Sequence, residues 1–263
     1  MTTIGLLHPG EMGAAIGAQL QEAGHRVLWS SERRGPQSAR RAAEAGLEDV
    51  GSAQTLAAQS EFVLSVAPPA AACQVAESIG AYGGIYVDAN AIAPATTRAV
   101  GQTVTAAGGR YVDGGIIGAP PRRPDQMRLY LSGPEAAAVA ELFAGTAVDA
   151  RTVGDRIGDA SAIKVAYAGW TKGSKALLLA MREFAAREGV EETLLAEWDL
   201  SQPDLGAAWD SAARSRDEKG WRWVGEMEEI AAALSAEDLP DGFHRAAAAI
   251  YDVTVSKISH IDA

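Results

Sequence analysis

The amino-acid sequence predicts an α/β fold over its first part, built on a doubly wound, mostly parallel sheet, and an all-helical region after it. Short apolar runs without helical period alternate with segments of helical period, and the runs are apolar on both faces, as in a sheet covered by helices on both sides. After Gly158 strand signals vanish and helical periodicity continues. We therefore expect two domains, residues 1–157 and residues 158–263.

Composition limits the classes of partner and compartment. A chain of 263 residues with 48% hydrophobic content is long enough for two modest cores. Its formal net charge of −11 repels nucleic acid and anionic membranes. The sequence shows neither a signal peptide nor a run of about 18 apolar residues. A single cysteine, Cys73, cannot form an internal disulfide and is expected to be buried, which favours a cytoplasmic protein.

The first thirty residues have the pattern of a dinucleotide-binding βαβ unit. A strand over Thr2–His8 is followed by a glycine-rich turn, a helix over Ala14–Leu20 and a second strand over His25–Ser30. The turn departs from the usual G-x-G-x-x-G, because His8 stands at the first glycine position. The motif is weak when taken alone, since such a turn can also simply reverse the chain. The residues expected to contact the cofactor are His8, Pro9, Gly10, Glu11, Met12 and Gly13.

The end of the second predicted strand favours NADP over NAD. An NAD site usually places an acidic residue there for the ribose 2′-hydroxyl, whereas this chain offers two hydroxyls and two guanidiniums. Arginine gives a bidentate, charge-assisted contact to a phosphate. Glu32, within the same segment, argues for the alternative of a solvated loop. The predicted 2′-phosphate ligands are Ser30, Ser31, Arg33 and Arg34.

The alternation continues with strands over Glu61–Val66 and Ile85–Asn90, and ligands of such sheets bind at the carboxyl ends of the strands. This rule adds Val66, Ala67, Pro68 and Asn90 to the predicted cofactor contacts. Further along, the sequence predicts a strand beginning at Arg110, a Gly/Pro loop over Gly114–Pro124, strands over Arg128–Ser132 and Ala147–Val153, and helices over Arg40–Ala45, Ala70–Ile79, Thr96–Ala107 and Glu135–Ala144.

Five segments together resemble the β-hydroxyacid dehydrogenases, which are related to 6-phosphogluconate dehydrogenase and more distantly to imine reductases. The segments, which span nearly the whole chain, are Ile4-Gly5 with Gly10–Gly13, Val66–Pro69, Val87–Pro94, Asp113–Gly115 and Gly154–Lys164. More narrowly, the chain looks like a poorly characterised 6-phosphogluconate dehydrogenase-like branch. The resemblance implies a Rossmann domain and a helical domain that forms a homodimer, with the active site in the cleft between the domains.

The resemblance also implies a catalytic residue, because the family's general acid/base is a lysine at the position of Lys164. Four residues on, this chain has Ala168 where the family has an asparagine, and Ile116-Ile117-Gly118 stands where the family has a serine. Both departures affect the grip on a substrate carboxylate. Without the family pattern, a lysine here would be taken for a surface residue.

Helix geometry sorts the groups around Lys164. At 100° per residue Ala168, Thr171 and Lys175 share its face, but Lys175 lies about 16 Å along the axis and cannot reach the same atom. The residues expected to line the substrate site are Asn90, Gly115, Tyr167 and Thr171. Whether His244 or Tyr251 of a partner subunit completes the site stays open.

The sequence thus predicts an NADP(H)-dependent oxidoreductase that moves a hydride between nicotinamide and a small, anionic hydroxy or oxo compound, with Lys164 supplying or taking the proton. Two alternatives remain: an imine reductase, and an NADP-binding protein without catalysis. The histidines lack metal-ligand spacing, so no metal site is expected.

Overall fold

The computed structural model describes residues 1–252, and the chain divides into two compact units. The first unit is Met1–Lys164, and the second begins at Val165. Residues 253–263, the end of the predicted helical domain, lie outside the described residues.

The first unit is built on one eight-stranded sheet with the order β3-β2-β1-β4-β5-β6-β7-β8. Neighbouring strands are parallel except for β6 and β7, which are antiparallel. The strands are β1 Thr3–Leu7, β2 Arg26–Trp29, β3 Glu48–Asp49, β4 Phe62–Ser65, β5 Ile85–Asp88, β6 Arg110–Gly118, β7 Met127–Ser132 and β8 Val148–Gly154. The helices between them are α1 Glu11–Glu22, α2 Pro36–Glu44, α3 Ala53–Gln59, α4 Ala72–Ser78, preceded by a 3₁₀ turn over Pro69–Ala71, α5 Pro94–Ala106 and α6 Ala136–Glu141.

Alternating side chains of the central strands form two cores, one on each face of the sheet. Ile4 and Leu6 of β1 pack into the core on the α1 side. Leu7, with Val63 of β4 and Tyr86 of β5, packs into the core on the other face. These strands are buried on both faces, which is why their sequences read as continuous apolar runs. The predicted α/β class is confirmed.

Strand β1 lies between β2 and β4 in the sheet. The connection that leaves β1 therefore runs toward one edge of the sheet, and the connection that leaves β4 runs toward the other edge. This is the topological switch point at which ligands of open α/β sheets bind. The predicted cofactor residues after β1, β2, β4 and β5 therefore lie along one edge of the sheet.

Two sequence expectations were wrong, and two elements were not predicted. The predicted loop beginning at Gly114 is strand as far as Gly118, because β6 leaves β5 at Asp113 and continues as an antiparallel partner of β7. Strand β3 and helix α3 were not predicted, since β3 is only two exposed residues long. Cys73 is exposed rather than buried.

The second unit is helical, as predicted. Helix α7, Asp159–Arg187, begins in the first unit and is followed by α8 Glu191–Ser201, α9 Leu205–Ser235 and α10 Gly242–Tyr251. Trp223, Met227 and Tyr251 lie in the core of this unit, and the Trp223 and Tyr251 rings meet edge to face. Within residues 1–252, no helix has the length and apolar character needed to cross a membrane.

Candidate active site

The turn after β1 is shaped by a histidine in the left-handed region and by one indispensable glycine. His8 has φ +71°, a conformation that glycine adopts easily and other residues rarely. Its carbonyl accepts a hydrogen bond of 2.8 Å from the Gly10 N–H. A Cβ at Gly13 would lie 2.5 Å from that carbonyl oxygen, so Gly13 must lack a side chain. The first turn of α1 can thus present its N–H groups to an anion.

A cavity of about 350 Å³ opens beside this turn, at the carboxyl ends of β1 and β2. Among the predicted cofactor residues it brings together His8, Ser30, Arg33 and Arg34. The remaining walls come from Leu7, Glu32, Ala53, Gln54, Gln74, Glu77 and Ser78. Arg34 is half-buried; burial lowers its pKa, and the nearby charge of Glu32 opposes that shift.

Asn90 joins the ends of β4 and β5. Its Oδ1 accepts a 2.5 Å hydrogen bond from the Ala67 N–H, and its Nδ2 donates to Ser65 Oγ over 3.1 Å. Its own N–H donates to Asp88 Oδ1 over 2.9 Å. Asn90 is only 3% exposed, so the amide holds the two loops in place from inside. Val66 and Ala67 are half-buried and Pro68 is exposed in the adjoining loop.

Asp113, at the point where β6 changes partners, anchors the beginning of α7. Its Oδ2 accepts hydrogen bonds from the Gly158 and Ser161 N–H groups, each 3.0 Å long, and its Oδ1 accepts a 2.6 Å bond from Ser161 Oγ. Ser132 Oγ donates to Asp113 Oδ2 and accepts from the Ala160 N–H. A carboxylate suits this place, because the first N–H groups of a helix lack intrahelical acceptors and carry partial positive charge.

Lys164 lies in the second turn of α7, directly after this anchor. A Cβ at Gly115 would be 2.6 Å from the Ala160 carbonyl oxygen and 3.2 Å from Lys164 Cβ, so β6 and α7 touch through bare backbone. The Lys164 side chain is half-buried, and loss of solvent lowers its pKa to about 8. A lysine tuned in this way can both donate and accept a proton near neutral pH.

Next to the Asp113 anchor lies a second buried carboxyl group, Asp88, at the end of β5. Burial raises its pKa to about 7, opposed by the hydrogen bond from the Asn90 N–H. Tyr111 and Thr97, whose hydroxyls are 2.7 Å apart, complete this polar layer. The anchoring role of these groups was not predicted from the sequence. Their only signal was an acidic residue in each of two buried strands, Asp88 at the end of β5 and Asp113 within β6.

The remaining predicted residues lie in the second unit. Tyr167 is 47% exposed, and Thr171 donates from Oγ1 to the Tyr167 carbonyl. Ala168, at the family's asparagine position, is 3% exposed and packs in the helical core. Tyr251 is fully buried, and its hydroxyl donates to the Lys172 carbonyl, so its side chain is held by contacts within the second unit. A ring nitrogen of His244 lies 3.2 Å from the Gly169 carbonyl oxygen.

Comparison with known proteins identifies the family. Residues 2–147 match the family model described as the NAD binding domain of 6-phosphogluconate dehydrogenase. The chain belongs to this family. Residues 185–253 match a second model, described as a domain of unknown function, DUF1932. Among curated proteins, none matches the chain.

Solved structures support the same assignment for this member of the 6-phosphogluconate dehydrogenase NAD-binding family. The conserved protein MTH1747, of unknown function and described as similar to 3-hydroxyacid dehydrogenases, is 28% identical with a TM-score of 0.72, covering 95% of each chain. 3-Hydroxyisobutyrate dehydrogenase from Salmonella typhimurium is 17% identical with a TM-score of 0.72, covering 98% of this chain and 95% of that one.

A third similar structure is a reductive aminase from Aspergillus terreus, solved with NADPH and ethyl levulinate. It is 21% identical with a TM-score of 0.61, covering 98% of this chain and 94% of the other. Because the dehydrogenase and the reductive aminase have low sequence identity to this chain, their similarity shows only that the fold is shared. The chain thus has an NAD(P)-binding, hydroxyacid dehydrogenase-like fold, and the expected superfamily is confirmed.

Proposed function

We propose that this protein is an NADP-dependent oxidoreductase that moves a hydride between nicotinamide and a small hydroxy or oxo compound, with Lys164 as the general acid/base. One observation carries the proposal: in a member of a nicotinamide-binding family, a half-buried lysine with a pKa of about 8 follows a helix N-terminus anchored by a buried carboxylate. Family membership supports the cofactor class, and the lysine supports proton transfer.

The residues of the first unit fit the adenosine half of NADP(H). The turn at Gly10 and Gly13 offers backbone N–H groups to the diphosphate, and Ser30, Arg33 and Arg34 offer donors to a 2′-phosphate. Ser31, Val66, Ala67 and Pro68 stay proposed cofactor contacts. When bound, the cofactor supplies or accepts the hydride.

Lys164 would handle the proton that accompanies hydride transfer. In the reductive direction negative charge develops on the substrate oxygen or nitrogen, and the Lys164 ammonium donates a proton to it. In the oxidative direction the neutral amine removes that proton. A pKa of about 8 leaves both forms populated near neutral pH. Asn90, Gly115, Tyr167 and Thr171 remain proposed substrate-site residues.

Replacing Arg34 tests the choice of NADP. In Arg34→Ala we expect the dissociation constant for NADPH to rise about tenfold or more while that for NADH changes little, because a charge-assisted bond to the 2′-phosphate is lost. Isothermal titration calorimetry with both cofactors measures this. Arg40→Ala, an exposed arginine of α2 outside the cavity, is the matched control. An NADPH affinity unchanged in the Arg34 variant contradicts the assignment.

The substrate proposal is a small anionic hydroxy or oxo acid, and an imine reductase is the second candidate. The buried Ala168 at the family's asparagine position favours the imine, since it removes a substrate-binding amide, and similarity to a reductive aminase adds support. Consumption of NADPH, followed with oxo acids and with cyclic imines, separates the two. Tight NADPH binding without turnover of either class favours an NADP-binding protein without catalysis.

We also propose that the protein is a homodimer joined through α7. Apolar side chains recur along this helix at spacings of three, four and seven residues, the pattern of a helix–helix seam. They are well exposed: Tyr167 47%, Trp170 76%, Leu177 45%, Met181 46% and Phe184 61%. Such a stripe is stabilised by burial against a second apolar surface, and a second copy of α7 supplies the same stripe.

The dimer is tested by placing a charge in the stripe. We expect Met181→Glu to run as a monomer in size-exclusion chromatography with light scattering, because burying a carboxylate in an apolar interface is strongly unfavourable. Ala186→Glu, on the same helix but about 140° away from Met181, is the matched control and should stay dimeric. A monomeric wild-type protein contradicts the proposal.

A further inference from the structure

We propose that His8 determines selectivity for the cofactor's 2′-phosphate, its imidazole donating a hydrogen bond to that phosphate beside Arg34. The inference rests on the proposed function, and it assigns to the residue at the altered glycine position a role in choosing NADP rather than in merely turning the chain.

The backbone at His8 gives the first reason. Among the described residues, four that are not glycine have positive φ: His8, Arg33, Asp125 and Asp238. Two of the four, His8 at +71° and Arg33 at +57°, line the same cavity. Left-handed backbone is unfavourable for residues with a Cβ, and such residues cluster at functional sites. Glycine would make the same turn without strain, so the imidazole is what distinguishes this turn from one with glycine at the same position.

The side chain gives the second reason. His8 Nδ1 is buried, and no hydrogen-bond partner for it exists among the described residues. A buried polar atom left unpaired destabilises a protein, and each such atom calls for an explanation. His8 lines the cavity, and a phosphate bound there would supply an acceptor oxygen for its imidazole.

The charges around the cavity indicate which ligand group this is. Burial and the nearby positive charge of Arg34 lower the pKa of His8 to about 4, against the opposing effect of a hydrogen bond with the Leu7 backbone, so the imidazole is neutral at physiological pH. A neutral imidazole does not repel the arginine, and it has a single N–H, so donation to a phosphate would replace the bond to Leu7. Arg33, Arg34 and Ser30 add further donors, and Glu32 and Glu77 are the acidic groups of the wall. A phosphate, which carries several acceptor oxygens, matches this set of donors.

Two variants test the inference without using catalysis. Asn and Gly both tolerate left-handed backbone, so His8→Asn and His8→Gly should keep the turn and lose the imidazole. We expect the affinity for 2′,5′-ADP to fall about tenfold or more in both, while that for 5′-ADP changes by less than about twofold. Calorimetry of the full-length protein gives both affinities, and thermal unfolding of the ligand-free variants should show melting temperatures no lower than wild type.

A matched control comes from the other left-handed residues. Asp125→Gly relieves backbone of the same kind, φ +66°, outside the cavity wall, and should leave both affinities unchanged. If the His8 variants keep the wild-type affinity for 2′,5′-ADP, or lose both nucleotides equally, the inference is overturned. Equal loss of affinity for both nucleotides would mean that His8 acts only through the geometry of the turn. A wild-type protein that prefers NADH to NADPH contradicts the proposed function itself, whatever the variants do.

Discussion

Lys164→Met is expected to lower kcat by about 10²- to 10⁴-fold while the dissociation constant for NADPH stays unchanged, because general acid/base catalysis contributes a factor of this size. Methionine keeps the length and the apolar contacts of the lysine stem. Burial disfavours the charged form of Lys164, as its lowered pKa shows, so the variant should be at least as stable as wild type. Stopped-flow or steady-state assays and thermal unfolding measure these effects.

The pH profile separates a catalytic lysine from one that only fills space. Reduction needs the ammonium form, so its rate in wild type should fall as pH rises through about 8, whereas oxidation needs the amine and should rise over the same interval. Both profiles should lose this step in Lys164→Met. Lys219→Met, at an exposed position of α9, is the control and should keep wild-type rates. Wild-type kcat in the Lys164 variant removes the lysine from the mechanism.

Asp113→Ala is expected to lower the free energy of unfolding by about 3 kcal/mol, because two helix N–H groups and three hydroxyls lose their acceptor inside the protein. For a domain of this size the melting temperature should fall by about 6–12 °C. Thermal or urea unfolding measures the loss.

The matched variant for Asp113 is Ser132→Ala. It removes one hydroxyl from the same anchor while the carboxylate keeps its bonds to Gly158 and Ser161, so its effect should be smaller. Asp113→Asn keeps the volume of the side chain but turns an amide N–H₂ toward groups that donated to the carboxylate. We expect this variant to lose an intermediate amount of unfolding free energy. An Asp113→Ala protein as stable as wild type would mean that α7 does not depend on this anchor.

The fold could be predicted where burial leaves a trace in the sequence. Strands β1, β4 and β5 are covered on both faces, so their apolar runs are unmistakable. Strand β3 has no such trace, because both of its residues are exposed. The glycines of β6 misled the prediction. Gly115 indicated a loop, whereas it lacks a side chain because the backbone of Ala160 lies against it.

The candidate site was predicted where chemistry is local in the chain. Arg33 and Arg34 stood out beside a strand end, and both line the cavity. The opposite wall was missed, because α3 was not predicted and the polar face of α4 resembles an ordinary solvated one. Gln74, Glu77 and Ser78 follow the spacing of a single helix face, and that is the signal that could have found them. The Asp113 anchor joins residues 45 and 48 positions apart, which sequence spacing alone cannot reveal.

The central claim is that NADPH gives its hydride to a substrate in a step that needs Lys164. The most direct measurement is transfer of deuterium from NADPH labelled at the nicotinamide C4 to panels of oxo acids and cyclic imines, in wild type and in Lys164→Met, with cofactor binding checked in both. We predict labelled product from wild type, and little from a variant that binds NADPH equally well. Equal labelling by the two proteins, or no labelled product from wild type with either panel, contradicts the claim.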